Sequence, residues 1–398
     1  MYTQSWLPLL LIALLFGILI SNPWMVIFSS TLMVVMGAAS LWSRYSLHRV
    51  QYARHWKYVR GFPGEDLPIE VSISNHKLLP VSWVRVEDRL PMLIAPQAEG
   101  DLQSTHIPGE GALVSVCSLR WREKVTRSYN LHLRQRGLYQ VGPALLESGD
   151  IFGFNTHTQR QTDSDYVTVF PELLPINPLQ IKTDNPFGDI RTRRWLFEDP
   201  NRTMGVRAYQ PEDDFRHIHW NATAHTGVLQ SRVYEPISAQ VMVVCLNITT
   251  SDQSWLVSSE ALFEQLIKMA ATVCYQSFEQ GYAVGCVSNG CLAHADHLFQ
   301  IPPSRAPGQP AFLLESLAAV TSYTLAPFET YLMNTASRLA YGASLVVVTA
   351  RVTEKLIETL VRLRRFRAHT TLISLAQDPP PPIPGVTGIH LPFEEPQE

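Results

Sequence analysis

The chain has 398 residues, 46% hydrophobic and 17% charged, with a formal net charge of -3. That length exceeds one ordinary core, so it asks for two or three domains at roughly 100–200 residues each. The charge balance lacks the basic excess that follows a phosphate backbone, so no nucleic-acid partner is expected. Five cysteines (Cys117, Cys245, Cys274, Cys286 and Cys291) are odd in number and show no C-x-x-C spacing. They read as reduced core residues, not as a disulfide framework.

Taken in chain order, Trp6 to Ile20 and Trp24 to Trp42 contain no charged residue, and only Ser21-Asn22-Pro23 separates them. A turn tripeptide between two apolar runs predicts a transmembrane helical hairpin over 1–45, with residues 6–42 in contact with membrane lipid. A cleaved signal peptide is the alternative. It needs a charged leading region and a small-residue cleavage site, whereas Met1 to Ser5 carry no basic side chain. Arg44, His48, Arg49, Arg54, Lys57 and Arg60 follow the second run, and basic flanks stay on the cytoplasmic side. The expectation is a multi-pass (two-helix) cell-membrane protein with its soluble part in the cytoplasm.

Over 58–170 the pattern has a period of two. Leu67 to Ser74 and Val81 to Glu87 alternate apolar with polar residues, and further strands are expected at Ala112 to Trp121, Ser128 to Arg134, Gly137 to Val141 and Tyr166 to Phe170. Short antiparallel strands at these spacings predict an immunoglobulin-like β-sandwich. Residues 171–235 read as a connector with a polar, arginine-rich second half.

From 236 to 398 apolar runs alternate with helical stretches: Val241 to Leu246, Trp255 to Glu279, Tyr282 to Ser288, two helices within Ala311 to Tyr341, Leu345 to Thr349, Thr353 to Arg367 and Thr371 to Leu375. This predicts an α/β domain on a mainly parallel sheet, whose ligands would sit beyond the carboxyl ends of the strands, near the loop after Leu246. Pro379 to Pro382 reads as a stiff terminal linker.

No G-x-x-x-x-G-K-[ST] loop, G-x-S-x-G elbow or H-E-x-x-H helix occurs, so no enzyme and no catalytic residue is expected. The densest polar stretch runs from Gly205 to Glu235. Arg207, Arg216 and Arg232 can pair with Glu212, Asp213, Asp214 and Glu235, while Tyr209 and Trp220 pack between domains; such bidentate pairs would form an interdomain clasp. The alternative is a metal-dependent hydrolase or transferase built on Asp213, Asp214, His217 and His219, since neighbouring carboxylates and imidazoles can exchange protons or bind a metal.

This stretch resembles the domain of unknown function 58 (DUF 58) family, through Arg207, Tyr209, Pro211, Asp213, Arg216, Ile218, Trp220, Ala224, Gly227, Leu229 and Glu235. The paired apolar runs, Arg136 to Pro143 and Asp150-Ile-Phe-Gly153 extend the resemblance. Glu212 stands where glycine is usual, His225 where arginine is usual, and His219 where an aspartate is frequent. The resemblance implies a von Willebrand factor A-like (Rossmann-type) C-terminal domain and a MoxR-type AAA+ ATPase as protein partner. It also implies a metal-ion-dependent adhesion site at Asn247, Thr249 and Ser251. That site is degenerate here: Asn247 has no charge to offset the dehydration of Mg²⁺, and Arg351 stands where a later aspartate is expected. No cofactor is therefore expected, the alternative being Mg²⁺ held with Asp252 as the one nearby carboxylate, and the predicted function is a membrane-anchored cytoplasmic scaffold or protein-interaction module.

Overall fold

Asn22 accepts a hydrogen bond from the Trp24 amide at 3.2 Å, and Pro23 holds the first helical position. Both features start a helix where the sequence leaves its turn. The computed structural model of the protein describes residues 6–96, 102–150, 155–161, 163–175, 198–210, 213, 215–236, 241–251, 259–293, 295–339, 343–363 and 369–393. Its first elements are α1 (Trp6–Leu19) and α2 (Pro23–Ser46). They pack as a hairpin around Gly17, where a Cβ would come within 3.2 Å of Val26 and 3.3 Å of Met25. The 24 residues of α2 rise about 36 Å, enough for a ~30 Å hydrocarbon layer, whereas the 14 of α1 rise only about 21 Å. Among the described residues one helix is thus long and apolar enough to cross a membrane. Trp24, Phe28 and Val34 on it are 78%, 71% and 70% exposed, which a core helix of a water-soluble domain would not leave bare.

The chain divides into two compact units, Met1–Glu172 with Leu317–Ala319, and Leu173–Ser316 with Val320–Glu398. In the first unit the strands are β1 (Val50–Trp56), β2 (Arg60–Gly61), β3 (Asp66–Asn75), β4 (Val81–Pro91), β5 (Leu102–Ser104), β6 (Glu110–Leu119), β7 (Lys124–His132), β8 (Gly137–Val141), β9 (Ala144–Gly149), β10 (Thr156–Gln161) and β11 (Asp165–Val169). They form sheets in the orders β1-β3-β7, β10-β9-β4-β6-β5 and β2-β11-β8. Alternating side chains from all three sheets, among them Tyr52, Ile69, Val84, Leu131, Val141 and Val167, fill one core.

Strand β1 begins at Val50, ahead of the expected boundary at 58. Arg54 hides its alternation, because this guanidinium turns inward. Its Nε and Nη2 donate to the two oxygens of Asp88, both at 2.7 Å, and Nη1 donates to Asp165 Oδ2 at 3.1 Å. The Tyr52 hydroxyl donates to Asp88 Oδ2 at 2.5 Å, and the Asp88 residue is 2% exposed. Burial, then the charge of Asp88, pushes the Tyr52 phenol far above its ordinary value. At the end of α2, the Lys77 ammonium donates to the carbonyls of Tyr45 and Ser46, two of the last-turn acceptors that a helix cannot satisfy itself. Burial lowers Lys77 to about 8, which still leaves it charged at neutral pH.

The second unit opens with β12 (Glu198–Ala208), α3 (Trp220–Thr226) and β13 (Gln230–Pro236), in which β12 and β13 pair antiparallel. It continues through β14 (Val241–Asn247), α4 (Glu260–Glu279), β15 (Ala283–Leu292), β16 (Ala295–Ser304), α5 (Gln309–Ala318), β17 (Val320–Thr324), α6 (Phe328–Arg338), β18 (Ser344–Thr349), α7 (Glu354–Leu363), β19 (His369–Ser374) and β20 (Val386–His390). The sheet order is β16-β15-β14-β18-β19-β20, with β17 also on β15. From β15 through β20 along that order, neighbouring strands are parallel. Every residue of β18, and all but the first of β14, is buried, as expected of strands covered on both faces. Helices α6 and α7 pack Leu332, Leu356 and Leu360 over Val243 and Leu345 on one side. Helix α4 buries Leu266, Ile267 and Ala270, and its Ser277 reaches Met242 on the other face of β14.

The proline run Pro379 to Pro382 is not a terminal linker. It joins β19 to β20, and β20 adds a further parallel strand to the sheet. All five cysteines are free thiols, with Cys245, Cys274 and Cys286 buried; burial pushes the Cys245 and Cys286 thiols up, away from reactive thiolate.

Candidate interaction site

Where the parallel pairing of β15, β14 and β18 runs out, polar residues of the three strands bond to one another. Asn247 closes β14 and is 7% exposed. Its Oδ1 accepts from the Thr249 amide and from Asn289 Nδ2, both at 3.2 Å, and its Nδ2 donates to Thr349 Oγ1 at 3.1 Å. Asn289, on β15, also donates to Thr249 Oγ1 at 3.1 Å and accepts from the Ile248 amide at 3.0 Å. Thr349 donates to the Arg351 carbonyl at 2.8 Å. The result is a neutral amide and hydroxyl lattice in which each side chain has defined partners. Ser251 lies half-buried on the same loop.

Strand β14 has its sequence successor β15 on one side and β18 on the other. This reversal is the kind of point where an open α/β sheet forms a crevice. A cavity of about 710 Å³ opens there, with Thr250, Ser259, Arg351, Gln377 and Asp378 as polar lining and Pro379 to Pro381 on one wall. Ser259 also caps α4, its hydroxyl accepting from the Leu262 amide at 3.3 Å.

Between β12 and β13 the signature residues make a local lock. Both Arg207 Nη atoms donate to Asp213, the Nη1 to Oδ2 contact at 2.8 Å. The Gln210 amide donates to the same Oδ2 at 2.9 Å, and the Tyr209 hydroxyl to the Asp213 carbonyl at 3.2 Å. The Tyr209 and Phe215 rings meet at 5.7 Å. His219 Nδ1 accepts from the Ala222 amide at 3.1 Å and so caps α3. Gly227 ends α3 at φ 69°, a left-handed value that favours glycine.

Of the residues expected to form the clasp, Arg207, Tyr209 and Asp213 come together, while Gly227 is a helix terminator. Arg216, Trp220 and Arg232 are exposed. Pro211 and Asp214 lie outside the described residues, as does the side chain of Glu235. For the alternative cluster, the Nδ1 of His219 is engaged with a backbone amide, and among the described residues no group of three His, Cys, Asp or Glu has the spacing to hold a metal. Sequence reading missed Asn289, although the polar pair Ser288-Asn289 does interrupt an apolar strand.

The Arg207 guanidinium, with the Gln210 amide second, holds the Asp213 carboxyl below its ordinary value. A lowered carboxyl contributes its link above the ordinary carboxylate range and loses it as pH falls through the lowered value. Protection of the Gln210 amide from hydrogen exchange, corrected for intrinsic rate, is therefore expected to fall in acid ahead of global unfolding. Unchanged protection down to the unfolding pH would contradict this account of the lock.

Comparison with known proteins matches residues 205–391 to the family described as "Protein of unknown function DUF58". The "Uncharacterized protein YeaD" of Bacillus subtilis (strain 168) is 22% identical over 254 residues, which is 63% of this chain and 59% of that protein; the chain thus spans about three fifths of its length. Among solved structures, the CARDB domain of a Pyrococcus furiosus protein is 14% identical at a TM-score of 0.22, covering 30% of this chain and 86% of its own. The sporulation control protein Spo0M of Bacillus subtilis is 13% identical at a TM-score of 0.19, covering 30% of this chain and 49% of its own. A likeness at that level assigns neither fold nor function. The DUF58 match runs from Gly205 in β12 to Leu391 just after β20, and so takes in the signature lock, the amide lattice and the strand-end cleft.

Proposed function

We propose that the chain is a membrane-anchored protein-interaction module whose strand-end cleft docks a partner. In this reading the first unit is an immunoglobulin-like sandwich carried by the helical hairpin, and the parallel sheet with its helices is a von Willebrand factor A-like head. The basic run from Arg44 to Arg60 supports a cytoplasmic side for both units. Packing of α2 on its own β unit, where the Ser43 hydroxyl donates to the Asn155 carbonyl at 3.2 Å, favours a retained anchor over a leader that is removed.

The observation that carries the proposal is the cleft beyond β14 and β18, open to a partner and lined by Thr250 and Arg351, which lie one and two residues past the lattice residues Thr249 and Thr349. A magnesium ion does not suit the lattice. Asn247 Oδ1 already faces two N–H donors, Mg²⁺ sites keep carboxylates to offset dehydration, and Arg351 follows Thr349 by two residues. Docking then depends on the cleft's own side chains, Thr250, Arg351, Gln377 and Asp378 among them. The resemblance to the DUF 58 family makes a MoxR-type AAA+ ATPase the partner to try.

The test uses the full chain in nanodiscs and the purified MoxR-type ATPase of the same organism. Binding to the unaltered chain and at least about ten-fold weaker binding to Arg351→Glu are expected, the size of one lost or reversed charge-assisted contact. No binding to the unaltered chain would remove this partner, and equal binding to both would remove the cleft as its site.

A further inference from the structure

The β unit ends in an unusual surface beside α2. Strand register places Asn75 opposite Val50, Lys124 opposite Ser74 and Leu119 opposite Val81. The loops 76–80 and 120–123 therefore stand at the same pole as the start of β1, which follows the end of α2 within a few residues. They are tied together: Asn75 Nδ2 donates to the carbonyls of Leu79 and Arg120, both at 2.9 Å, and the Arg122 amide donates to the Lys77 carbonyl at 3.3 Å. Lys77 fixes the first loop to the helix through the Tyr45 and Ser46 carbonyls.

What these loops present is apolar at the tip and basic around it. Leu78 is 70% exposed, Leu79 48% and Trp121 72%. Arg44, Arg49, Arg120 and Arg122 are exposed around them, and none forms an ion pair among the described residues. The one nearby acid on these loops, Glu123, turns back to accept from the Arg120 amide at 2.6 Å. A recess of about 280 Å³ is lined by Leu41, Trp42 and Tyr45 from the helix and by Leu79 and Pro80 from the loop, with Ser46 and Lys77 also on its wall, so apolar side chains of the helix and the loop share one surface.

We propose that this pole is a lipid-facing surface, in which Leu78, Leu79 and Trp121 enter the boundary between headgroups and acyl chains while Arg44, Arg49, Arg120 and Arg122 hold anionic headgroups. The proposal rests on the reading of α2 as a membrane anchor. Aromatic rings settle at that boundary, and basic side chains next to a membrane helix are drawn to acidic lipid. The tether and the loops then make two attachments to one bilayer. The β unit is held in one orientation on the membrane, where a tether alone would leave it free to swing.

The test places one fluorescent label per full-length chain, at Leu79→Cys, at Ile107→Cys on the opposite pole, or at Val34→Cys in α2, with the unsubstituted chain as labelling control. Each is reconstituted in phosphatidylcholine vesicles containing phosphatidylglycerol. The Leu79 label is expected to be quenched by lipid-borne nitroxide and to be several-fold less accessible to aqueous iodide than the Ile107 label. In the same vesicles, Arg120→Glu with Arg122→Glu is expected to raise iodide quenching of the Leu79 label about two-fold or more. Equal iodide access at 79 and 107, with the Val34 label still quenched by lipid, would overturn the proposal and leave the anchor intact. A Val34 label reached by iodide and not by lipid would overturn the anchor and this proposal together. No effect of the double charge reversal would remove the headgroup role of Arg120 and Arg122.

Discussion

Asp88→Ala is expected to destabilise the β unit by about 3–5 kcal/mol, because it leaves the Arg54 guanidinium buried without its principal partner. The loss extends past one ion pair, since the Tyr52 hydroxyl gives up its acceptor in the same change. Asp165, which meets Arg54 through one nitrogen at 3.1 Å and has a side chain 38% exposed, is a weaker substitute. With whole domains stable by only about 5–15 kcal/mol, this single change approaches unfolding. Urea denaturation of the variant followed by tryptophan fluorescence measures it. A midpoint within error of the unaltered chain would mean that the Arg54 and Asp88 pair contributes little. Replacing both partners by apolar residues, Arg54→Met with Asp88→Leu, is expected to cost less than Asp88→Ala alone, because no charge is then stranded.

The second large effect is expected at Asn289. Asn289→Ala removes the acceptor of the buried Ile248 amide and one donor to Asn247 Oδ1. An unsatisfied buried amide costs about 1–3 kcal/mol, and the loosened lattice brings the expected total to about 2–4 kcal/mol. The variant should also raise hydrogen exchange at Ile248 and Thr249 more than at the centre of β18. Uniform exchange across the sheet would show that the lattice does not specifically hold the strand ends. The same substitution at an exposed amide such as Gln377 is expected to leave stability within about 0.5 kcal/mol.

The parallel core was plain in the sequence because burial on both faces writes an unbroken apolar run, as in Val241 to Leu246 and Leu345 to Thr349. The half-buried β3 and β4 were legible for the opposite reason, the alternation of Leu67 to Ser74 and Val81 to Glu87. Strands that break these patterns were not. In β1 the inward Arg54 reads as part of a basic flank, in β16 Pro302 and Pro303 argue against a strand until its edge position is known, and β20 follows five prolines between Pro379 and Pro384. In the signature stretch, residue types were enough to pair Arg207 with Asp213, but sequence reading assigned that pair to an interdomain clasp, whereas its contacts lie within the β12 to β13 connection. The lattice was half legible: Asn247 and Thr249 stood out against the adhesion-site pattern, whereas Asn289 and Thr349 join it only through strand register, Asn247 lying opposite Thr349 in the sheet. Long-range pairing of this kind has no local signature.

The central claim is that a partner docks at the cleft beyond β14 and β18. The most direct measurement is site-specific photo-crosslinking in the membrane, with the photoreactive residue at exposed Gln377 on the cleft lining or at exposed Trp220 on α3. The account predicts a cross-link to the MoxR-type ATPase from position 377 that is lost with Arg351→Glu. A cross-link to that ATPase from position 220 with none from 377 would contradict it.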